Sequence, residues 1–185
     1  MKVPVVRPLS RRKIELLAEN FLSKVQPECL QVPTPFDVER CLDVVLPSSG
    51  YQPDLLELGP GVEGLTDPIH KLVRIPPQVY EKMVTGKGRA RFTVTHEVGH
   101  VVLHAKQVRE IMVNYGTDGL KRRSDIESYR DPEWQANAFA AAVLMPESAV
   151  RAILAEGGGV GKIARTLKVS VMAAEIRLKN LGIKV

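Results

Sequence analysis

The segment RARFTVTHEVGHVVLH, residues 89–104, constrains this chain more than any other. Phe92, Val94, Val98, Val101, Val102 and Leu103 mark a helix that belongs in a core. The same helix carries His96, Glu97, His100 and His104. Residues four apart lie one turn apart on the same helical face, so His96 and His100 can aim both imidazoles at one ion. Glu97 follows the first histidine and reaches the position where a water on that ion would sit. This is the HExxH spacing of zinc peptidases. An unpartnered polar group on a buried helix costs about 1–3 kcal/mol. Several on one core helix therefore need a common partner, and a metal ion is the simplest. Gly99, between the two histidines, leaves no side chain to obstruct close packing.

His104 continues the same face but lies two turns from His96, about 12 Å along the axis. One ion cannot easily reach both at a Zn–N distance of ~2.0–2.1 Å. The helix is expected to run roughly from Arg91 to Lys106. That puts His104 near its C-terminus, where the dipole favours a cationic ring; substrate binding is the alternative role. His70 sits beside a turn and reads as a surface residue. The missing ligand should be a carboxylate on another helix, and DPEWQANAFAAAVLMP supplies one. Asp131 is its N-cap, Pro132 its first residue and Pro146 its stop. Glu133 lies in the first turn and Asn137 one turn later. Where the third zinc ligand is Glu, this spacing lets Glu133 bind metal while Asn137 accepts an imidazole N–H. Otherwise Glu133 is a helix-start acid stabilised by the dipole.

Around this pair the chain alternates helix, short strands and helix. Ser10 opens a helix with Ile14, Leu17, Ala18, Phe21 and Leu22 on one face, stopped by Pro27. TPFDVERCLDVV reads as a short helix with Thr34 as N-cap. DLLELG, VEGLT and KLVRIP, separated by Gly and Asp-Pro turns, suggest about three strands. PPQVYEKMV is a short helix ended by TGKG. Residues 114–132 are polar and read as a loop. ESAVRAILAEGGG, VGKIARTLK and SVMAAEIRLKNLG are three further helices. The expected fold class is α+β: an active-site helix on a small sheet over residues 1–156, with a C-terminal helical pair, 157–185, packed on the same domain.

Hydrophobic residues make up 44% of the 185, but aromatics only 5%, so the core is expected to be aliphatic. Cys29 and Cys41 form no CxxC pair and read as reduced thiols. The start, MKVPVVRPLSRRK, does not resemble a signal peptide, and no apolar run approaches the ~20 residues of a membrane span; a cytoplasmic protein is expected. The formal charge of +5 is uneven. Residues 157–185 carry six basic groups against one acid, and residues 1–27 six against two. Such ends can meet nucleic acid or an acidic partner, or be no more than solvated faces.

Four stretches together resemble the ImmA/IrrE family of metallopeptidases. GRARFTVTHEVGHVVLH is similar to the family's Arg-Phe-Thr run into HExGH, and EWQANAFAAAVLMP to its Glu-x-Glu-Ala-Asn-x-Phe-Ala stretch ending in Leu-Met-Pro. VSVMAAEIRLKNLG resembles the family's tail, and EGLTDPIHKLVRIP, more weakly, its strand region. They span most of residues 60–182. Gln135 departs from the pattern, standing where the family often has a second Glu. The resemblance implies a zincin-like domain holding one Zn2+ through His96, His100 and Glu133, with Glu97 as catalytic base. It also implies a cytoplasmic endopeptidase that cuts a helix-turn-helix repressor or antitoxin and relieves repression in mobile elements or stress responses.

Several roles stay open. Arg91, His104, Tyr115 and Tyr129 are the candidates to bind substrate or stabilise an oxyanion. KLVRIP is either the sheet edge that receives an extended peptide or an interior strand. The two basic tail helices resemble a helix-turn-helix, which raises direct DNA contact. A zinc-containing adaptor that binds its repressor without cutting it would carry the same residues.

Overall fold

The computed structural model describes residues 2–184. Strand β1 (Lys2–Pro4) leads into helix α1 (Arg11–Val25), which starts where the Ser10 hydroxyl accepts the Lys13 N–H and which buries Ile14, Ala18 and Leu22. After α2 (Glu28–Gln31), one helical stretch joins α3 (Val38–Arg40), a π-helical segment over Cys41–Val45, and α4 (Leu46–Ser48). Its N-cap is not Thr34 but Asp37, whose carboxylate accepts the Arg40 N–H at 2.9 Å. Phe36 is buried and its carbonyl accepts from Arg91, while the Asp37 N–H is held by Gln26; these ties keep residues 34–36 out of the helix.

Strands β2 (Gln52–Leu55), β3 (Leu65–Asp67) and β4 (Leu72–Ile75) form a three-stranded sheet in the order β2-β4-β3. KLVRIP is therefore the central strand rather than the edge. It buries Val73 and Ile75, and on the alternate position Arg74 bridges Asp54 of β2 (3.3 Å) and Asp67 of β3 (3.1 Å). A cation between two acids locks β4 into the middle. β4 runs parallel to β2 and antiparallel to β3, which leaves β3 as an edge.

Helix α5 (Pro77–Val84) then leads to α6 (Gly88–Gly99). The helical path does not stop near Lys106. It passes through a π-helical segment, His100–His104, into α7 (Ala105–Tyr115), ending at Gly116 with φ +54°. Val108, Ile111 and Met112 keep the helical period beyond Lys106 and are half-buried. His104 is thus in mid-helix, and the dipole role expected for it does not apply.

Part of the expected loop 114–132 is strand β5 (Leu120–Arg122), paired antiparallel with β1. Three-residue strands carry too little alternation to be read from sequence. This ribbon forms because the N-terminal segment lies across the molecule, with Val3 and Val6 buried and the N–H groups of Val6 and Leu9 bonded to the Arg130 and Tyr129 carbonyls.

Helices α8 (Pro132–Leu144), α9 (Glu147–Ala155), α10 (Val160–Leu167) and α11 (Val171–Asn180) complete the chain. Ile163, Leu167, Ala174 and Leu178 of the last two join the main core. The α10–α11 turn lies so close to the start of α6 that a Cβ on Gly88 would stand 2.7 Å from Val169 and Ser170 backbone atoms. Cys29 and Cys41 are free and buried, and burial pushes their thiols up to about 11 and about 12. Among the described residues no single helix is long and apolar enough to cross a membrane.

Arg177 fastens the tail. It is 2% exposed, donates to the Met145 carbonyl at 2.9 Å and forms a two-pronged pair with Glu15 of α1. Removing one member of a buried ion pair strands the other. Arg177→Ala is expected to lower unfolding free energy by about 3 kcal/mol, measured by urea denaturation; a loss within error of zero would show that the tail is not held this way.

Candidate metal centre

Helices α6 and α8 are packed together where α6 has no side chain. A Cβ on Gly99 would stand 3.3 Å from the Ala136 Cα and carbonyl oxygen and from the Phe139 ring. At that separation His96 of α6 and His100, at the start of the π-helical segment, face Glu133 in the first turn of α8. The Asp131 carboxylate caps α8 by accepting the Glu133 N–H at 3.0 Å.

The His96 and His100 Nε2 atoms are 2.9 Å apart. Glu133 places one oxygen 3.4 Å from the first and the other 3.3 Å from the second. Bonding to His100 and His96 holds the Glu133 carboxyl well below the usual carboxylate range, against the effect of burial. Burial opposes charge on His96, yet the Glu133 hydrogen bond and the charges of Glu97 and Glu133 raise it above its ordinary value. The His96 Nδ1 is 3.0 Å from Asn137 Oδ1, the contact expected four residues after Glu133. With Nδ1–H donated there, Nε2 presents a lone pair. Two imidazole lone pairs at 2.9 Å and a carboxylate aimed at the same point repel one another unless a proton or cation stands between them. His96, His100 and Glu133 therefore form a group that could hold a metal ion. Two imidazoles and one carboxylate serve catalytic zinc and also iron(II) oxygenases. A second carboxylate poised at the open side suits the hydrolytic use.

Glu97 is that second carboxylate. It is 6% exposed and one oxygen accepts from the Thr66 hydroxyl at 2.7 Å. Gly64, just before β3, leaves room for it: a Cβ there would stand 2.8 Å from Glu97 Cγ. The histidines, Glu97, Glu133, Gly64 and Thr66 line one open cleft of about 560 Å³.

Of the four substrate or oxyanion candidates, only His104 lines this cleft, and it is 1% exposed. Its Nδ1 lies 3.2 Å from His100 Nδ1 and its Nε2 3.0 Å from Gln135 Oε1. Burial, helped by His100, pushes its pKa down to about 3. Arg91 does not reach the cleft. It is buried and donates to the Phe36 and Lys168 carbonyls, joining the N-terminal region to the tail. Tyr115 and Tyr129 are 66% and 47% exposed and stand away from the cleft. His70 is a surface residue, paired with Asp67 at 2.8 Å. Sequence reasoning missed Thr66 and gave Gln135 no place; the one signal for Gln135 was an amide on an otherwise apolar helix face.

A raised His96 pKa has a definite sign. In the metal-free protein folding favours the imidazolium, and this stabilisation is complete below about 6.5 and lost as pH rises through the folded value. Metal binding needs the neutral ring. The rise in Tm on adding zinc should therefore be larger at about pH 8 than at about pH 5.5. Equal rises in calorimetry would contradict ligation by His96.

Comparison with known proteins gives a family and a fold. No curated protein matches the sequence. Among solved structures, a Mycobacterium tuberculosis transcriptional regulator has a similar fold, with a TM-score of 0.61 at 16% identity over 91% of this chain. The match covers 46% of that protein, so this chain spans under half its length. The family model described as Peptidase_M78, IrrE N-terminal-like domain, matches residues 69–179, which include β4, α6 and α8 and all three candidate ligands. This chain belongs to the IrrE N-terminal-like, Peptidase_M78 family.

Proposed function

We propose that this chain is a zinc-dependent endopeptidase whose substrate is a helix-turn-helix repressor or antitoxin, so that cleavage relieves repression. The observation that carries the reading is the placement of Glu97 beside a His-His-Glu donor set on the floor of an open cleft. His96, His100 and Glu133 would hold the ion. Bound zinc lowers the pKa of a water and polarises a carbonyl. Glu97 accepts the proton of the attacking water and returns it to the departing amine. Thr66, donating to one Glu97 oxygen, fixes the carboxylate and leaves the other oxygen for that exchange. Edge strand β3 lies along the cleft and offers an extended substrate backbone a place to pair. Family membership supports peptidase chemistry, and the fold shared with a protein titled a transcriptional regulator supports a regulatory setting.

The tail favours protein contact over DNA contact. The outward residues of α11 include Val171, Met172 and Ile176, which are 52%, 69% and 54% exposed, with Glu175 and a single cation, Lys179, among them. Phosphate binding calls for a row of cations.

The peptidase is separated from a non-cleaving adaptor by Glu97→Gln, which keeps the shape and removes the base. The variant should retain zinc, while cleavage of a helix-turn-helix repressor substrate, followed on gels, falls by about 10²–10⁴-fold. Undiminished cleavage would show that Glu97 is not the base. If wild type and variant both relieve repression without cutting, the adaptor reading holds.

A further inference from the structure

We propose that Gln135 and His104 form a hydrogen-bond relay that fixes His100 as its Nδ1–H tautomer, so that the His100 Nε2 lone pair faces the metal position before any ion arrives. The proposal rests on the metal reading above and assigns a positioning task to two residues that do not touch the ion.

The relay starts at an amide whose orientation is determined. Gln135, fully buried, donates its two amide protons to the Tyr129 carbonyl at 2.7 Å and the Arg7 carbonyl at 2.9 Å. Turning the amide over would set its oxygen against two carbonyl oxygens, so Oε1 must be the atom 3.0 Å from His104 Nε2. An amide oxygen only accepts, so His104 Nε2 carries the proton. A neutral imidazole with one nitrogen donating has the other accepting. His104 Nδ1 is therefore the acceptor in its 3.2 Å contact with His100 Nδ1, and His100 Nδ1 carries the proton between them. Only Nε2 of His100 is left with a lone pair, and it lies 2.9 Å from His96 Nε2 and 3.3 Å from Glu133.

His96 reaches the same state in one step, through Asn137. His100 needs two because the residue beside it is another histidine, which could donate or accept. Gln135 removes that ambiguity, and as an uncharged acceptor it does so without adding a second anion behind the site. The backbone carbonyls that orient it belong to the N-terminal segment and to the turn before α8. The relay is thus tied to parts of the chain remote in sequence from the histidines.

Nitrogen-15 NMR of the metal-free full-length chain reads the tautomer directly, and His100 should be protonated on Nδ1. Zinc affinity by chelator competition gives the consequence. His104→Leu removes the acceptor and should weaken zinc about 10–100-fold. His104→Asn, whose Oδ1 can stand near the Nδ1 position, should recover affinity to within about threefold of wild type. Three results overturn the relay: wild-type His100 protonated on Nε2, a folded His104→Leu that binds zinc like wild type, or an Asn variant as weak as the Leu one. If the Leu variant does not fold, the wild-type tautomer and the Asn variant still decide. A wild type that takes up no zinc at all overturns the metal reading itself, whereas a zinc-binding wild type with indifferent variants overturns the relay alone.

Discussion

The site depends on how closely α6 can lie against α8. Gly99 is a point of close approach, with Ala136 and Phe139 at 3.3 Å from where its Cβ would be. Interiors are packed to crystal-like density, so a side chain there must push the Ala136 backbone or the Phe139 ring back by a few tenths of an ångström. Ala136 is three residues from Glu133 on α8, so the fit at Gly99 bears on how near Glu133 stands to His96 and His100. The glycine of HEVGH thus lets α8, which carries the one ligand outside the motif, pack closely on the helix that carries the other two.

The same contact explains why the centre tolerates so many polar groups. His96 is bonded to Asn137, His100 to His104, His104 to Gln135, Gln135 to two backbone carbonyls, and Glu97 to Thr66. Buried polar groups are costly unless partnered, and partnered ones fix a single arrangement. The partners come from α8, from β3 and, through Gln135, from the N-terminal segment. The donors are thereby oriented by the fold rather than by the ion. Arg91 and Arg177 extend the same logic away from the cleft, by donating to the Phe36, Lys168 and Met145 carbonyls.

Much of this was legible in the residues because the informative spacings are local. His96 and His100 at four residues, Glu133 and Asn137 at four, and the caps at Ser10, Asp131 and Ser170 are all set within one turn, and the three strands before α5 are marked by the turns between them. What was not legible depends on pairing across the chain. The central position of β4 follows from Arg74 meeting two acids, and the β1–β5 ribbon joins segments more than a hundred residues apart. The helix continues past Lys106 after a π-helical turn at His100–His104 that no residue type announces. Arg91 was one of four candidates to bind substrate or stabilise an oxyanion, yet its guanidinium turns toward Phe36 and Lys168. Gln135 looked like a departure from a pattern; only the position of His104 gives it a partner.

The most direct measurement is diffraction from zinc-loaded crystals recorded on both sides of the zinc absorption edge. One anomalous peak per chain is expected, within about 2.0–2.2 Å of His96 Nε2, His100 Nε2 and a Glu133 oxygen, with Glu97 and His104 unbound. An ion held by Glu97 or His104, or a peak away from the α6–α8 contact, would contradict the assignment of the centre.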